Sequence, residues 1–108
     1  MTDLEIIAVN DCSNDSTLNI LNELSKTDNR IKIVNNDKNY GLLYSRAMGI
    51  LNSTGEYLLN LDADDEIKST DSLEYLYNKV QNSKVDIVGF DIFDVKKNKT
   101  IKCRIIMK

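Results

Sequence analysis

Three carboxylates fall within four residues at Asp62, Asp64 and Asp65, directly after the apolar run Leu58-Leu59-Asn60-Leu61. Acids packed this closely repel one another unless water or a cation screens them. An oxygen-only cluster suits a hard divalent ion, Mg2+ or Mn2+, and such an ion commonly bridges to a phosphate. The spacing therefore points to a metal-assisted phosphate or diphosphate site. The alternative is a solvated acidic loop leading into the next helix. A calcium loop is not the reading, because its sixth position is Ile67 instead of glycine and its twelfth is Leu73 instead of glutamate.

Asp11 and Arg46 join the cluster once the elements that carry them are placed. Residues 4–9 read as a strand that is apolar on both faces, hence central and parallel. The polar turn 10–16 follows, and Ser13 or Asp15 can cap a helix running to about residue 25, with a stripe of Leu18, Leu21 and Leu24 and Ile20 beside it. A short strand over 31–34 precedes a second helix over 41–52, expected to bury Leu43, Ala47, Ile50 and Leu51, with Gly55 as its stop. A third strand over 56–61 ends in the acidic cluster. A third helix starts at Thr70 or Asp71, where Asp71 and Glu74 resemble a capping box, and turns Leu73, Leu76, Tyr77 and Val80 inward. A fourth strand over 85–90, extending to Phe93, and an edge strand over 100–107 complete the chain, with Lys102 and Arg104 facing water.

This βαβαβαββ order predicts an α/β fold, a three-layer α/β/α mostly parallel sheet with an antiparallel C-terminal hairpin. Parallel strands bring their carboxyl ends to one edge, so Asp11 and the 62–65 triplet are expected on a shared rim, where such folds bind ligands. Arg46 on the second helix lies near that rim and can pair with a carboxylate or clamp a phosphate. In isolation, Asp11 reads first as a turn residue bonding its own backbone, and Arg46 as an ordinary surface or structural ion pair. The five tyrosines are not spaced as a stacking platform.

Composition narrows the classes. The chain of 108 residues, 42% hydrophobic and 29% charged, reads as one small globular domain. A net charge of −3 without a Lys/Arg stripe argues against nucleic acid. No apolar run approaches the roughly 20 residues of a membrane span, and no leader pattern opens the chain. Cys12 and Cys103 are isolated, which fits a reducing, cytoplasmic setting. With no histidine, neither zinc nor His-based acid–base chemistry is expected. No dinucleotide or P-loop glycine pattern is present.

Residues 9–17, Val-Asn-Asp-Cys-Ser-Asn-Asp-Ser-Thr, resemble the V-D-D-G-S-x-D-x-T turn of family 2 glycosyltransferases. Residues 39–49 are similar to that family's N-x-G-L-x-x-A-R-N-x-G segment, and residues 54–65 to its T-G-E-Y-I-x-F-L-D-x-D-D. The resemblance covers roughly residues 4–95 and implies a GT-A fold over 1–108 that binds a nucleotide-diphospho-sugar, with UDP-sugar favoured, through Mg2+ or Mn2+. It implies that Asp11 accepts a hydrogen bond from the nucleobase and that Arg46 lies near the nucleotide. It implies that Asp62 and Asp64 form the D-x-D metal pair, supported by Asp65. The acceptor, a sugar, lipid or polymer, is left open, with cell-surface glycan synthesis at the inner face of the membrane as the implied setting. Asn10 stands for the first acid of the turn and Cys12 for its glycine. If that glycine needs a positive φ, Cys12 carries strain. Ser45 and Ala47 also depart from the pattern.

The family pattern opens with an apolar strand before the position of Leu4 and continues into an acceptor half and a later catalytic base. Asp91 and Asp94 do not stand in the context of that base. The expectation is a truncated part of a larger enzyme, not competent for transfer alone. Strands 5–9 and 56–61 would then pair directly, or a second copy would fill the gap in a homodimer. Two other readings stay open: a non-catalytic remnant, and a receiver-like phosphoacceptor domain, which also gathers acids around Mg2+ at strand ends.

Overall fold

The computed structural model describes residues 2–107, with side chains to residue 101. The elements run β1 (Ile6–Asn10), α1 (Thr17–Thr27), β2 (Ile31–Asn35), α2 (Leu42–Leu51), α3 (Ser72–Ser83), β3 (Ile87–Asp94) and β4 (Lys99–Met107). They form two compact units, Thr2–Gly55 and the segment from Glu56 onward. The α/β class is as expected: a parallel pair flanked by helices, and an antiparallel hairpin.

In the first unit β1 pairs with β2 in parallel, from Ile6 opposite Ile31 to Asn10 opposite Asn35. Asn36 N–H extends the ladder by donating to Asn10 O at 2.9 Å. The N-cap of α1 is Ser16, without a side-chain cap bond, and not Ser13 or Asp15; Asp15 Oδ1 instead accepts from the Thr17 N–H at 3.0 Å in a local Asx turn just ahead of the helix. Leu18 and Leu21 are half-buried, but Ile20 and Leu24 are exposed, against the expected stripe. Two strands about 4.8 Å apart are narrower than a helix of about 10 Å diameter, so they cover only part of its apolar arc.

The face of α2 is the larger correction. Leu43 and Leu51 are 84% and 77% exposed, and Ala47 and Ile50 are exposed as well. Ser45, Met48 and Gly49 are covered instead, and a Cβ on Gly49 would lie 3.5 Å from Val9 Cγ2. These residues sit about half a turn from the leucine ridge. The rotation follows from polar ties at the helix start, described below.

Glu5, ahead of β1, holds the far end of α2. Its carboxylate accepts from the Thr54 N–H, from Thr54 Oγ1 at 3.1 Å and from the Gly55 N–H at 2.8 Å, and it pairs with Lys32 Nζ at 2.7 Å. The Lys32 ammonium, followed by the Thr54 N–H, lowers its pKa from 4.5 to about 2. A carboxylate whose folded pKa lies below its unfolded value adds stability above about pH 4.5, and that stability is lost as pH falls toward 2. Thermal melts at pH 5 and pH 2.5 should therefore show acid destabilisation that Glu5→Gln reduces, because the amide has no charge to lose.

In the second unit β3 and β4 pair antiparallel with a register shift between Phe90 and Ile92. Exposure alternates strictly along β3, with Val88, Phe90 and Ile92 on the covered side. Val80 of α3 is 2% exposed, Leu73 and Leu76 are half-buried, and Tyr77 stands edge-on to Tyr57 at 6.4 Å. Asp71 is the N-cap of α3, but the capping box does not form, because its carboxylate accepts from Ser69 Oγ at 2.5 Å. The expected strand over 56–61 is also not formed: only Leu58 has an isolated bridge. A strand apolar on both faces is held by ladders on both edges, and the ladders of the described residues are β1–β2 and β3–β4. The side chains of Lys102 and Arg104 lie outside the described residues.

Candidate nucleotide-sugar site

The acidic triplet is a turn, not a strand end. Asp65 N–H donates to Asp62 O at 3.0 Å, closing residues 62–65 into a β-turn. The turn gathers Asp62, Asp64 and Asp65, each with a carboxylate oxygen within 4.8 Å of the others. Asp62 is half-buried and Asp64 exposed. The donor set is all oxygen and anionic, which matches the preference of Mg2+ or Mn2+ and leaves positions for water and phosphate oxygens. The three residues therefore fit such an ion.

Asp11, one residue beyond β1, sits in a basket of donors. Oδ1 accepts from Asn36 Nδ2 at 2.9 Å and from the Tyr40 N–H at 2.8 Å, and Oδ2 accepts from the Gly41 N–H at 2.8 Å. The Asn36 amide, then the Tyr40 N–H, holds the carboxyl below its usual range, with Gly41 and Ser45 adding to the effect. Gly41 adopts φ +90°, a value only glycine takes freely, and this turns its N–H to Asp11 at the start of α2. Asn36 is 7% exposed and also donates to Ser45 Oγ at 3.2 Å. Asp11 thus bonds across the fold to the 40–41 turn, not to its own backbone. These bonds fix the rotation of α2 and carry Arg46, which is half-buried one residue after Ser45.

Asn10 is 3% exposed, and its Nδ2 donates to Asn35 Oδ1 at 2.7 Å. Cys12 has φ +57°, so the residue standing for the pattern's glycine does adopt the left-handed conformation. Cys12→Gly is expected to stabilise the chain by about 1 kcal/mol, because a side chain in that region is strained and glycine is not. Urea unfolding of the two proteins measures the difference.

Sequence reading missed Asn36 and Glu5 as organisers. The available signal for Asn36 was an amide pair, Asn35-Asn36, at the end of a strand parallel to the one before Asp11. The tyrosines also need correction: Tyr40 and Tyr44 stack with centroids 4.2 Å apart, and Lys38 Nζ lies 5.1 Å from the Tyr40 ring centre. Their spacing of four residues at a helix start was the overlooked signal.

An α/β chain with an acidic turn and a carboxylate clamp at a parallel strand end matches one family model, Glycosyl transferase family 2, over residues 1–105. The chain is 48% identical over 65 residues to an uncharacterized glycosyltransferase of Haemophilus influenzae, covering 60% of this chain and 20% of that protein. It is 40% identical over 88 residues to a cholesterol galactosyltransferase of Borreliella burgdorferi, covering 82% and 24%. It is 34% identical over 85 residues to the glycosyltransferase GlyG of Streptococcus pneumoniae, covering 79% and 28%. The chain belongs to glycosyl transferase family 2, with a GT-A-like α/β fold, and spans between a fifth and just over a quarter of the length of these relatives. Among the described residues, no helix is long and apolar enough to cross a membrane.

Proposed function

We propose that residues 1–108 form the donor-binding domain of a glycosyltransferase that uses a nucleotide-diphospho-sugar, with UDP-sugar as the favoured donor. The observation that carries this reading is the 62–65 turn with its three converging carboxylates. Asp62 and Asp64 would hold Mg2+ or Mn2+, and Asp65 would support them. A divalent ion bound there supplies neutralisation of the diphosphate as it becomes the leaving group. Asp11, kept ionised by its donors, accepts a hydrogen bond from the nucleobase, and Arg46 lies close to the nucleotide. In the whole protein the sugar passes to a sugar, lipid or polymer acceptor, in keeping with cell-surface glycan synthesis. Titration calorimetry of the chain with UDP tests the reading. Binding with Mn2+ that vanishes with EDTA is the expected result. Absence of binding in both conditions would overturn it for this chain and favour a folded segment without a donor site.

A further inference from the structure

We infer that Asn36 is the positioning residue for Asp11, fixing the orientation in which its carboxylate meets a nucleobase N–H. The inference rests on the donor-site reading above and deepens it. A carboxylate oxygen offers two lone pairs. On Oδ1 both are taken, by Asn36 Nδ2 at 2.9 Å and the Tyr40 N–H at 2.8 Å. Oδ2 accepts the Gly41 N–H at 2.8 Å, and the Ser45 hydroxyl also bonds the carboxylate. Nucleobases such as uracil present a ring N–H, and an ionised acceptor strengthens the bond.

Asn36 is built to hold this arrangement. It is 7% exposed, and its own N–H is bonded to Asn10 O at 2.9 Å, so its backbone belongs to the last rung of the β1–β2 ladder. Its amide orientation is determined by Asp11, because an ionised carboxylate can only accept and the facing atom must be Nδ2. The second hydrogen of Nδ2 goes to Ser45 Oγ at 3.2 Å. Ser45 stands where the resembling pattern has alanine, so this chain adds a second anchor to the same amide. With one amide bonded to both the Asp11 loop and α2, the carboxylate cannot rotate without breaking its bonds to Asn36, Tyr40 and Gly41.

The test combines the Asp11 carboxyl titration, read by 13C NMR on the full chain, with UDP affinity in Mn2+ across pH. Asn36→Ala should raise the Asp11 midpoint, move the acid limb of binding upward and weaken UDP binding about 5- to 30-fold, the value of one or two lost hydrogen bonds. Ser45→Ala removes the outer anchor and the weakest of the hydrogen bonds that lower the Asp11 pKa, and should change both readouts less than Asn36→Ala. Asn36→Ser keeps a polar group in place and substitutes for the alanine variant if that variant does not fold. A folded Asn36 variant with the wild-type midpoint and affinity would overturn the inference. If the wild type binds no UDP, the donor reading fails, and the Asp11 midpoint alone then decides for or against Asn36.

Discussion

Asp64→Ala is expected to lower Mn2+-dependent UDP affinity by about 100-fold or more. Loss of groups that merely orient metal ligands commonly costs 10- to 100-fold, and Asp64 would be a ligand itself. Chelation with EDTA should reproduce the loss in the wild-type chain. The variant should be no less stable than the wild type in the absence of metal. Asp64 is exposed, and the carboxylate oxygens of the 62–65 turn lie within 4.8 Å of one another, so its removal relieves repulsion instead of breaking packing. Calorimetry and a metal-free melt on the same sample separate the two effects. A variant that binds as tightly as the wild type would remove Asp64 from the metal site.

Asn10→Ala should destabilise the chain by about 2–3 kcal/mol. The side chain is 3% exposed and uses both ends of its amide: Nδ2 donates to Asn35 Oδ1 at 2.7 Å, and Oδ1 accepts the Ser13 N–H at 3.2 Å. Truncation leaves two polar groups without partners and a small void. Asn10→Asp, which restores the acid of the family turn, should cost less, because Asn35 can reverse its amide and donate to the new carboxylate. Urea unfolding followed by circular dichroism measures both, and an unchanged denaturant slope would show that the folded state is otherwise intact. An alanine variant within 0.5 kcal/mol of the wild type would mean that the Asn10–Asn35 pair contributes nothing.

Much of the fold was legible because local signals agreed with tertiary need. The apolar runs of β1, β2 and β3 and the Gly41 start of α2 all stand where residue type and spacing put them. The Cys12 conformation was legible too, because a turn pattern that wants glycine imposes its φ on whatever residue replaces it. Residues 56–61 misled for the opposite reason. An apolar run states that a segment can be a strand, but its ladder depends on neighbours that lie elsewhere.

Residue type and order by themselves determined the family, the α/β class and the acidic triplet, because three motif blocks in sequence encode local turns and their chemistry. Only the tertiary structure decided which way α2 faces and what Asp11 bonds. The sequence offered a leucine ridge for burial, yet Leu43 and Leu51 are exposed and Ser45 and Gly49 face inward. Hydrogen bonds from Asn36, Tyr40 and Gly41 to one carboxylate fix the helix start, and these partners lie 25 to 30 residues from Asp11. Hydrophobic periodicity reports how much apolar surface a helix offers, whereas directional bonds between distant residues determine its rotation.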